Sequence, residues 1–518
     1  MKKNGIMSQI FLFGEEKINI PLLKLDVAQL KQHKESSKKK LSAYTISTDE
    51  LGLDLSLLSE KAVKCIRLLQ ASGFKAYLVG GCVRDLLLGK NPKDFDVSTD
   101  ATPNQIVKIL PNSRIIGRRF QIVHAIRGNE IIEITTFRNN KVQAKTGVSP
   151  KMSNRVSDQS GMLLRDNVFG KSITQDAQRR DFTINALYLD PEQRLIYDYT
   201  GGLYDLVKMQ IDMIGDPSTR YLEDPVRMIR ALRFSAKLGF KITKRTSAPI
   251  QKLKENLLEV SNARMYEEVN KIFLTGHGYE SFCILREYGI FELLFPGTVE
   301  LLNNKAYTDF VEYSLKSSDA RSAIKKPNMP HFLYSVLLYP VFRQSYYELE
   351  RENEYSIKPL TLTELTTIAV NNVLNAQYSV TDIPYATTES ITSMWRTQIQ
   401  FDTANEKAAA ALSEKGIFRA AFDFLVIRSY FEPYLEPMVT LLRPYYQRAK
   451  ELALQRMKEK EQRKIAKREK KALKLEKRKK KKATGANASF DDEQYTSKER
   501  QEQLRKAKEW RKAMKLDI

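Results

Sequence analysis

The chain has 518 residues, 42% of them hydrophobic, and a formal net charge of +23. This composition excludes a chain that is disordered throughout, and the length allows roughly two to four domains. Residues 456–482 carry 16 Lys or Arg and four Glu, a net charge of +12. Nucleic acid is the expected partner of so basic a chain, and an anionic membrane surface is the weaker alternative.

The cysteines predict the redox compartment. Cys65, Cys82 and Cys283 lie far apart without metal-ligand spacing, which indicates reduced thiols in a cytoplasmic protein. No run of about 18 apolar residues occurs, so membrane insertion is not expected. The short apolar stretch near residue 10 leads directly into Glu15 and Glu16 without a cleavage site, which argues against a signal peptide.

The elements up to residue 215 predict an α/β unit. Apolar residues from Leu57 to Leu69 recur at helical spacing, and Thr102-Pro103 marks the start of another helix. KAYLVGG and DFDVST are expected to be strands on either side of the short helix VRDLLLG. FQIVHAIR and EIIEITTFR predict a hairpin around Gly128-Asn129. The polar stretch 139–161 predicts a mobile loop.

Beyond Asp216 the pattern becomes helical to about residue 447. Residues 448–482 permit a solvated helix, 483–489 predict a flexible linker, and 498–515 a final basic amphipathic helix. The predicted fold class is α+β, with a small mixed sheet and flanking helices, then an all-α body and a basic, partly disordered tail. The predicted domains are an arm 1–55, an α/β head 56–215, two helical regions 216–295 and 296–447, and a basic tail 448–518.

Two aspartates suggest a metal site. In a strand DFDVS, Asp94 and Asp96 project to the same face while Phe95 turns into the core. Two carboxylates on one face repel each other unless a cation intervenes, and a pair of Mg²⁺ ions, for which Mn²⁺ could substitute, uses this geometry for nucleotidyl transfer. An isolated pair of this kind is more often a solvated strand end.

Gly80 and Gly81 strengthen the metal-site interpretation. They follow a predicted strand and precede a helix, where backbone N–H groups can approach phosphate without an obstructing Cβ. Arg84 could add a charge-assisted contact to the same phosphate. A strand-to-helix glycine pair alone is a weak signal, but its combination with Arg84 and the two aspartates is strong.

A further carboxylate is expected beside Asp94 and Asp96, and the residues leave two candidates. Glu133 shares one face of EIIEITTFR with Thr135, and an acid in a hydrophobic strand is costly to bury without a partner. It could also pair with an arginine such as Arg138. Asp176 is the second candidate. His124 has no zinc-ligand or triad spacing and is expected to be structural or exposed.

The chain resembles the class II nucleotidyltransferase superfamily of bacterial poly(A) polymerases and CCA-adding tRNA nucleotidyltransferases. The resemblance rests on LVGGCVRDLLLG, KDFDVST, RRDFTINALYLD, YDYTGGLYDL and RYLEDPVRMIRALRFSAKLG, in this order. It extends from about Leu57 to Phe295 and more loosely to 447. It implies that the head 56–215 is catalytic, that the helical region 216–295 is a base-recognition neck and that 296–447 is an RNA-binding body. IIGRRFQIVHAIRGNEIIEITTFR, GMLLRDNVFG and the long basic C-terminal extension favour the poly(A) polymerase branch.

The resemblance implies roles for individual residues. Asp94 and Asp96 would bind the metals, with Glu133 or Asp176 as a further catalytic carboxylate. Gly80, Gly81 and Arg84 would hold the triphosphate of ATP. Contacts to phosphate and ribose would come from Arg179, Arg180, Asp181 and Asn185, and base recognition from Glu223, Asp224 and Arg227.

The base-recognition stretch is also intelligible without the resemblance. Asp224 before Pro225 predicts a helix N-cap with Pro at the first helical position. Arg227, Arg230 and Arg233 recur every three residues along one side of that helix. An isolated stretch of this kind would be an ordinary capped helix with a basic stripe, whereas here its carboxylate and guanidinium could pair with a base edge.

The sequence is compatible with three functions. The first is template-independent addition of AMP from ATP to RNA 3′ ends, in a cytoplasmic monomer that works with RNA-decay or RNA-chaperone proteins. The second is CCA addition to tRNA, which uses CTP before ATP and stops after three nucleotides. The third is a catalytically silent RNA-binding protein, against which the intact aspartate pair and glycines argue. The basic tail is expected to bind RNA phosphates without sequence preference.

Overall fold

The computed structural model describes residues 21–37, 42–117, 121–128, 130–139, 156–157, 163–164 and 168–486. The described parts of Met1–Asp402 and Phe424–Leu435 form one compact unit, and those of Thr403–Asp423 and Glu436–Ile518 form a second. The predicted domain boundaries within these units stay a prediction. Most of the loop predicted at 139–161 lies outside the described residues.

The described strands are short, and most lie in the first 200 residues. They are β1 Tyr44–Ser47, β2 Ala76–Val79, β3 Asp96–Thr99, β4 Ser113–Ile116, β5 Ile122–Arg127, β6 Glu130–Thr136, β7 Arg138–Asn139, β8 Val156–Ser157, β9 Leu163–Leu164, β10 Val168–Phe169, β11 Leu187–Asp190, β12 Leu195–Asp198, β13 Gln210–Ile211 and β14 Lys241–Ile242.

Described α-helices alternate with the strands along the chain up to residue 253 and continue from there to residue 486. Those up to residue 253 are α1 Val27–Ser37, α2 Thr48–Leu51, α3 Glu60–Ala71, α4 Gly81–Leu87, α5 Pro103–Ile109, α6 Ile173–Arg179, α7 Gly202–Val207, α8 Pro217–Glu223, α9 Val226–Leu238, α10 Lys244–Ser247 and α11 Ile250–Leu253. The later helices are α12 Asn262–Phe273, α13 Gly278–Glu287, α14 Phe291–Leu294, α15 Pro296–Leu301, α16 Lys305–Ala323, α17 Pro330–Leu337, α18 Tyr339–Glu354, α19 Leu362–Tyr378, α20 Tyr385–Asp402, α21 Glu406–Ser413, α22 Phe418–Ser429 and α23 Glu436–Ala486.

Within the described residues, eight strands form one mixed sheet in the order β1-β12-β11-β2-β3-β6-β5-β4. Among these strands β3 and β6 run parallel, and the other neighbours are antiparallel. The predicted α+β class, with a mixed sheet and a helical body, is confirmed. The hairpin of β5 and β6 is also confirmed, and Ile132 and Ile134 are buried while Glu133 is exposed, because side chains alternate along a strand.

The N-terminal arm contributes to the same folded unit. Strand β1 pairs along its whole length with β12. Helix α1 places the ammonium of Lys34 2.5 Å from Oδ1 of Asp205 and 2.9 Å from Oδ2 of Asp212. The aliphatic stem of Lys34 lies against Gly201, where a Cβ would come within 2.6 Å of the Lys34 Cγ. The arm is therefore fixed by both a strand pairing and a largely buried ion pair.

The helical body has its own aromatic core. The ring of Trp395 on α20 stacks on Phe342 of α18 at a centroid distance of 4.6 Å, and its indole N–H donates to the Ser335 carbonyl. The fully buried guanidinium of Arg428 is bound by the carboxylates of Asp402 and Glu432. Such a buried cation is tolerated because its hydrogen bonds replace water.

Helix α23 starts at Glu436, before the basic C-terminal tail, and spans 51 residues. It confirms the helix predicted at 448–482, and it continues through 483–486, where a flexible linker was predicted. The rest of that linker and the predicted final helix at 498–515 lie outside the described residues. Of the helices that are described, none combines the length and the apolar character needed to cross a membrane.

Candidate active site

The turn between β2 and α4 is formed by Gly80 and Gly81. Gly80 has φ 81° and ψ −132°, a conformation that residues with a Cβ rarely adopt. A Cβ at Gly80 would lie 3.8 Å from Oδ2 of Asp96 and 4.0 Å from Nη1 of Arg180. The glycine therefore keeps the backbone open beside one predicted metal ligand and one predicted phosphate ligand.

Asp96 is the first residue of β3, and Asp94 lies just before the strand. The prediction that Asp94 is part of this strand is therefore wrong. Asp94 is exposed, and Phe95 between the two aspartates is buried, as predicted. Across the sheet Asp96 pairs with Val79 on one side and Glu133 on the other. Burial and the charges of Glu133 and Asp94 raise the pKa of Asp96 to about 6, against the opposing effect of Arg180. The charges of Glu133 and Asp94 thus disfavour the ionised form of Asp96, as expected beside a cation site.

Asp96 and Glu133, which lie side by side on β3 and β6, are called the carboxylate row. The pairing partner of Glu133 on β5 is His124, whose own partner on β4 is Arg114. The Nε2 atom of His124 lies 3.5 Å from Oε1 of Glu133, and the Glu133 side chain is 51% exposed. Glu133 is therefore placed beside Asp96 on an accessible part of the sheet, and His124 lies on its other side.

Asp176, the other candidate carboxylate, lies in a saturated buried network. Its oxygens accept hydrogen bonds from the hydroxyls of Ser98 and Tyr188, the backbone N–H of Arg138 and the guanidinium of Arg180. The residue is 7% exposed. A carboxylate that already accepts four protein hydrogen bonds has little capacity left for a metal or a hydroxyl.

Arg84 and Asn185 form a buried pair next to the glycine turn. The Arg84 Nη1 donates to Oδ1 of Asn185 at 2.7 Å, and its Nε donates to Asp85 at 2.8 Å. Arg84 is 2% exposed and its guanidinium lies over the ring of Phe234. The structure therefore brings Arg84 to the predicted place, but most of its hydrogen-bonding capacity is used by protein groups.

Arg179 and Arg180 mark the end of α6. The guanidinium of Arg180 donates to the Tyr188 hydroxyl at 3.0 Å and lies over that ring. Burial opposes its charge, but Tyr188 and Asp176 outweigh this and raise the pKa of Arg180 above its usual value. The charge of Arg179 acts on Arg138, whose pKa is lowered chiefly by burial and further by Arg179. Positive charge is thus concentrated beside the carboxylate row.

The residues predicted to read the base form an ion-pair network on α8 and α9. Glu223 accepts from Arg220 at 2.8 Å and from Arg227 at 3.1 Å. Asp224 accepts from the N–H of Val226 and from Arg264. Helix α9 begins at Val226 with Pro225 at its cap position, so the predicted cap at Asp224 is wrong by one residue. Asp224 and Arg227 are thus brought close together, each oriented by its own ionic partner.

Arg220 is a residue that the sequence did not single out. Its Nη2 donates to the carbonyls of Arg179 at 2.6 Å and Arg180 at 2.8 Å, while its Nη1 binds Glu223. It therefore joins the base-recognition network to the end of α6. The only available signal was its position four residues before Asp224 in the quoted stretch RYLEDP.

The carboxylates of the candidate site fit a divalent cation only if water and substrate phosphates complete its coordination. Within the described residues, no three His, Cys, Asp or Glu side chains converge as a self-sufficient metal site. Mg²⁺ commonly takes one or two carboxylates and completes its coordination with water and substrate phosphates. Asp94 and Asp96 beside the open glycine turn match that pattern.

Comparisons with known proteins agree on one family. Residues 76–212 match the family described as "Poly A polymerase head domain". Residues 239–302 match "Probable RNA and SrmB- binding site of polymerase A", and residues 360–484 match "Polymerase A arginine-rich C-terminus".

Curated relatives give the same result. Poly(A) polymerase I of Escherichia coli O157:H7 is 40% identical over 378 residues, which cover 72% of this chain and 79% of that protein. The Haemophilus influenzae Poly(A) polymerase I is 40% identical over 72% of this chain and 81% of its own length. A CCA-adding enzyme of Lactobacillus helveticus is 35% identical over 47% of this chain and 57% of its own length. The two polymerases match a larger share of the chain than this CCA-adding enzyme does.

Proposed function

This chain belongs to the poly(A) polymerase family, and from that membership we infer that it adds AMP from ATP to RNA 3′ ends without a template. The structural observation that carries the inference is the in-register pairing of Asp96 with Glu133 beside the open turn at Gly80. In this reaction the RNA 3′-hydroxyl attacks the α-phosphorus of ATP and pyrophosphate leaves.

We propose that the cation is Mg²⁺, with Mn²⁺ as a substitute, held by Asp94 and Asp96. When bound, it would supply activation of the attacking hydroxyl and neutralisation of the leaving pyrophosphate. The chain's own contribution is to hold Asp96 close to other carboxylates at a cost to the charged form of Asp96, as its raised pKa indicates. Binding a cation relieves that cost.

We assign the further carboxylate to Glu133 rather than Asp176. Glu133 lies directly opposite Asp96 on the parallel neighbouring strand and half of its side chain is accessible. Asp176 is buried and accepts four protein hydrogen bonds. Its proposed role is to orient Arg180, which faces the same turn as Asp96.

The nucleotide would lie between the glycine turn and the base-recognition network. Gly80 and Gly81 leave backbone space for the triphosphate, and Arg179 and Arg180 supply its counter-charge. Asp181 and Asn185 would face the ribose, with Arg84 orienting Asn185 through the hydrogen bond between them. The base edge would be recognised by Asp224 and Arg227, with Glu223 holding Arg227 in place.

RNA is the second substrate, and the Lys and Arg residues at 456–482 would contact its phosphates. The proposal extends to a cytoplasmic monomer that works with RNA-decay or RNA-chaperone proteins. Its cytoplasmic location is supported by Cys65, Cys82 and Cys283, which are all unbridged thiols.

The test incubates the purified chain with a generic RNA and each nucleoside triphosphate separately. A ladder of extended products with ATP is expected, and its absence would refute the function. A stop after three nucleotides on truncated tRNA, with CTP used first, would instead identify CCA addition. The double variant Asp94→Ala, Asp96→Ala should be inactive, and unchanged RNA-dependent activity in that variant would point to a non-catalytic RNA-binding protein.

A further inference from the structure

Three side chains form a row across neighbouring strands of the sheet. Asp96 on β3 pairs with Glu133 on β6, and Glu133 pairs with His124 on β5. Side chains directly opposite each other on adjacent strands project to the same face and lie within contact distance. Burial alternates along β5 accordingly, with Val123 and Ala125 buried and His124 on the face of Glu133. The register thus places an imidazole directly behind the proposed catalytic carboxylate.

The ring nitrogen that faces Glu133 is a buried polar atom. The Nε2 atom of His124 has no hydrogen-bond partner among the described residues, and the side chain is 19% exposed. Buried polar atoms in native structures nearly always have a partner. The carboxylate oxygen Oε1 of Glu133 lies 3.5 Å away, slightly beyond a good hydrogen bond. A small rotation of the Glu133 side chain would complete the contact.

We propose that His124 is a positioning residue for this reaction, and that its Nε2–H donates to Glu133 and holds that carboxylate toward Asp96 when RNA and ATP are bound. The inference rests on the role proposed above for Glu133. A half-exposed glutamate has several accessible rotamers, and fixing one of them lowers the entropic cost of reaching the reactive geometry. Hydrogen bonds in active sites are often long without substrate and shorten in the reacting complex. His124 touches neither substrate in this scheme and acts only through Glu133.

The test compares three single variants with the full-length wild type. His124→Leu removes the donor and keeps an apolar side chain of similar bulk. His124→Gln restores a side-chain N–H near the position of Nε2. Ile126→Ala is the matched control, since Ile126 lies on the same face of β5 but pairs with Ile131, away from the row. Melting temperatures establish that each variant is folded.

The expected result is a change in kcat rather than in KM. His124→Leu should lower kcat by roughly 10- to 100-fold, the range for a misplaced reacting group. KM for ATP and for RNA should stay within about twofold, since neither substrate is contacted. His124→Gln should recover most of the lost rate, and Ile126→Ala should keep the wild-type kcat. Equal loss in the Leu and Gln variants, or no loss in either, would overturn the proposal.

The Glu133→Gln background separates this inference from the proposed function. If His124 acts only through the Glu133 carboxylate, adding His124→Leu to Glu133→Gln should cause no further loss of kcat, because no carboxylate remains to be positioned. Multiplicative losses would show that His124 acts independently and would overturn the proposal. A Glu133→Gln variant with wild-type kcat would refute the role of Glu133 itself. A wild type without ATP-dependent extension would refute the function.

Discussion

Arg230 binds Asp181 through its guanidinium, with Nε 2.8 Å from Oδ2. Asp181 lies just after α6 and Arg230 lies in the middle of α9, so this ion pair joins the two segments. Burial opposes the charge of Asp181, but Arg230 and the backbone N–H of Phe182 outweigh it and lower the pKa of that carboxyl. The segment proposed to face the ribose is thereby fixed against the helix proposed to recognise the base.

This ion pair predicts a pH-dependent stability. Asp181→Asn should lower the free energy of unfolding at pH 7 by about 2 kcal/mol, because Arg230 loses its charged partner in a largely buried site. The folded-state pKa of Asp181 is below its unfolded value. Its contribution is therefore present above an unfolded pKa of about 3.9 and is lost as the pH falls through the folded value. Urea denaturation from pH 7 to 3 should show the two proteins converging in acid, and a constant difference would contradict the charge-based explanation.

The choice of third carboxylate predicts opposite effects of two isosteric changes. Glu133→Gln should lower kcat by roughly 10²- to 10⁴-fold with little change in melting temperature, since this side chain is half exposed. Asp176→Asn should instead lower stability by about 1–3 kcal/mol, because it disturbs a buried hydrogen-bond network. Steady-state kinetics and thermal unfolding of both variants measure this. Inverted outcomes would transfer the catalytic role to Asp176.

The ion pairs of Lys34 predict that the N-terminal arm stabilises the head. Lys34→Met should lower the free energy of unfolding by about 3 kcal/mol, since Asp205 and Asp212 lose their shared counter-ion in a buried site. Lys31 is exposed on the same helix, and Lys31→Met should change stability by less than about 0.5 kcal/mol. Chemical denaturation of both variants provides the comparison. Equal effects would show that the location of Lys34 is not the cause.

The glycine turn predicts a loss of activity that backbone strain alone does not explain. Gly80→Ala should lower kcat and also cost about 1–3 kcal/mol of stability, because its backbone conformation disfavours a Cβ. Gly73 also has a positive φ of 85°, but a Cβ there would have no heavy atom within 4 Å. Gly73→Ala should therefore destabilise the protein and leave kcat unchanged. Similar kinetic losses in both variants would argue against a special role for the turn.

The C-terminal helix predicts a salt-dependent affinity for RNA. Replacing all six basic residues of KRKKKK at 477–482 by Gln should reduce the slope of log K against log salt concentration by up to about 4, as expected for single-stranded RNA. KM for ATP should not change, because the carboxylate row lies elsewhere in the chain. Fluorescence anisotropy titrations at several salt concentrations measure the slope. An unchanged slope would remove this segment from the RNA-binding surface.

The parts of the fold that could be predicted are those with local signals. The cap at Thr102 was predicted from two adjacent residues, and its capping box with Gln105 is present. The hairpin of β5 and β6 followed from alternation around a turn. The pairing of β1 with β12 could not be predicted, because it joins residues about 150 positions apart and β1 has only four residues. The contact of Lys34 with Asp205 spans 171 positions and has no local pattern either.

The proposed site residues also divide into those with a local sequence signal and those without one. Gly80, Asp96 and Glu133 can be proposed from the sequence because their spacing and strand alternation are local properties. The choice between Glu133 and Asp176 depended on which strand pairs with β3 and on how many hydrogen bonds each carboxylate accepts. The sequence indicates a structural or exposed His124, and the positioning role proposed for it depends on the register between two strands, which the sequence does not specify. Arg220 was missed because its role depends on two backbone carbonyls from a distant segment.

Strand β1, which the N-terminal arm contributes, also determines which strand lies at the edge of the described sheet. Strand β12 hydrogen-bonds to β11 on one side and to β1 on the other, so its own N–H and C=O groups are satisfied along both edges. A chain shortened to begin after Ser47 would present β12 as an open edge, which is a template for pairing with another polypeptide. With the arm in place the outermost strand of the described sheet is β1, so the arm moves the sheet edge outward by one strand, onto a segment that the ion pairs of Lys34 with Asp205 and Asp212 hold in place.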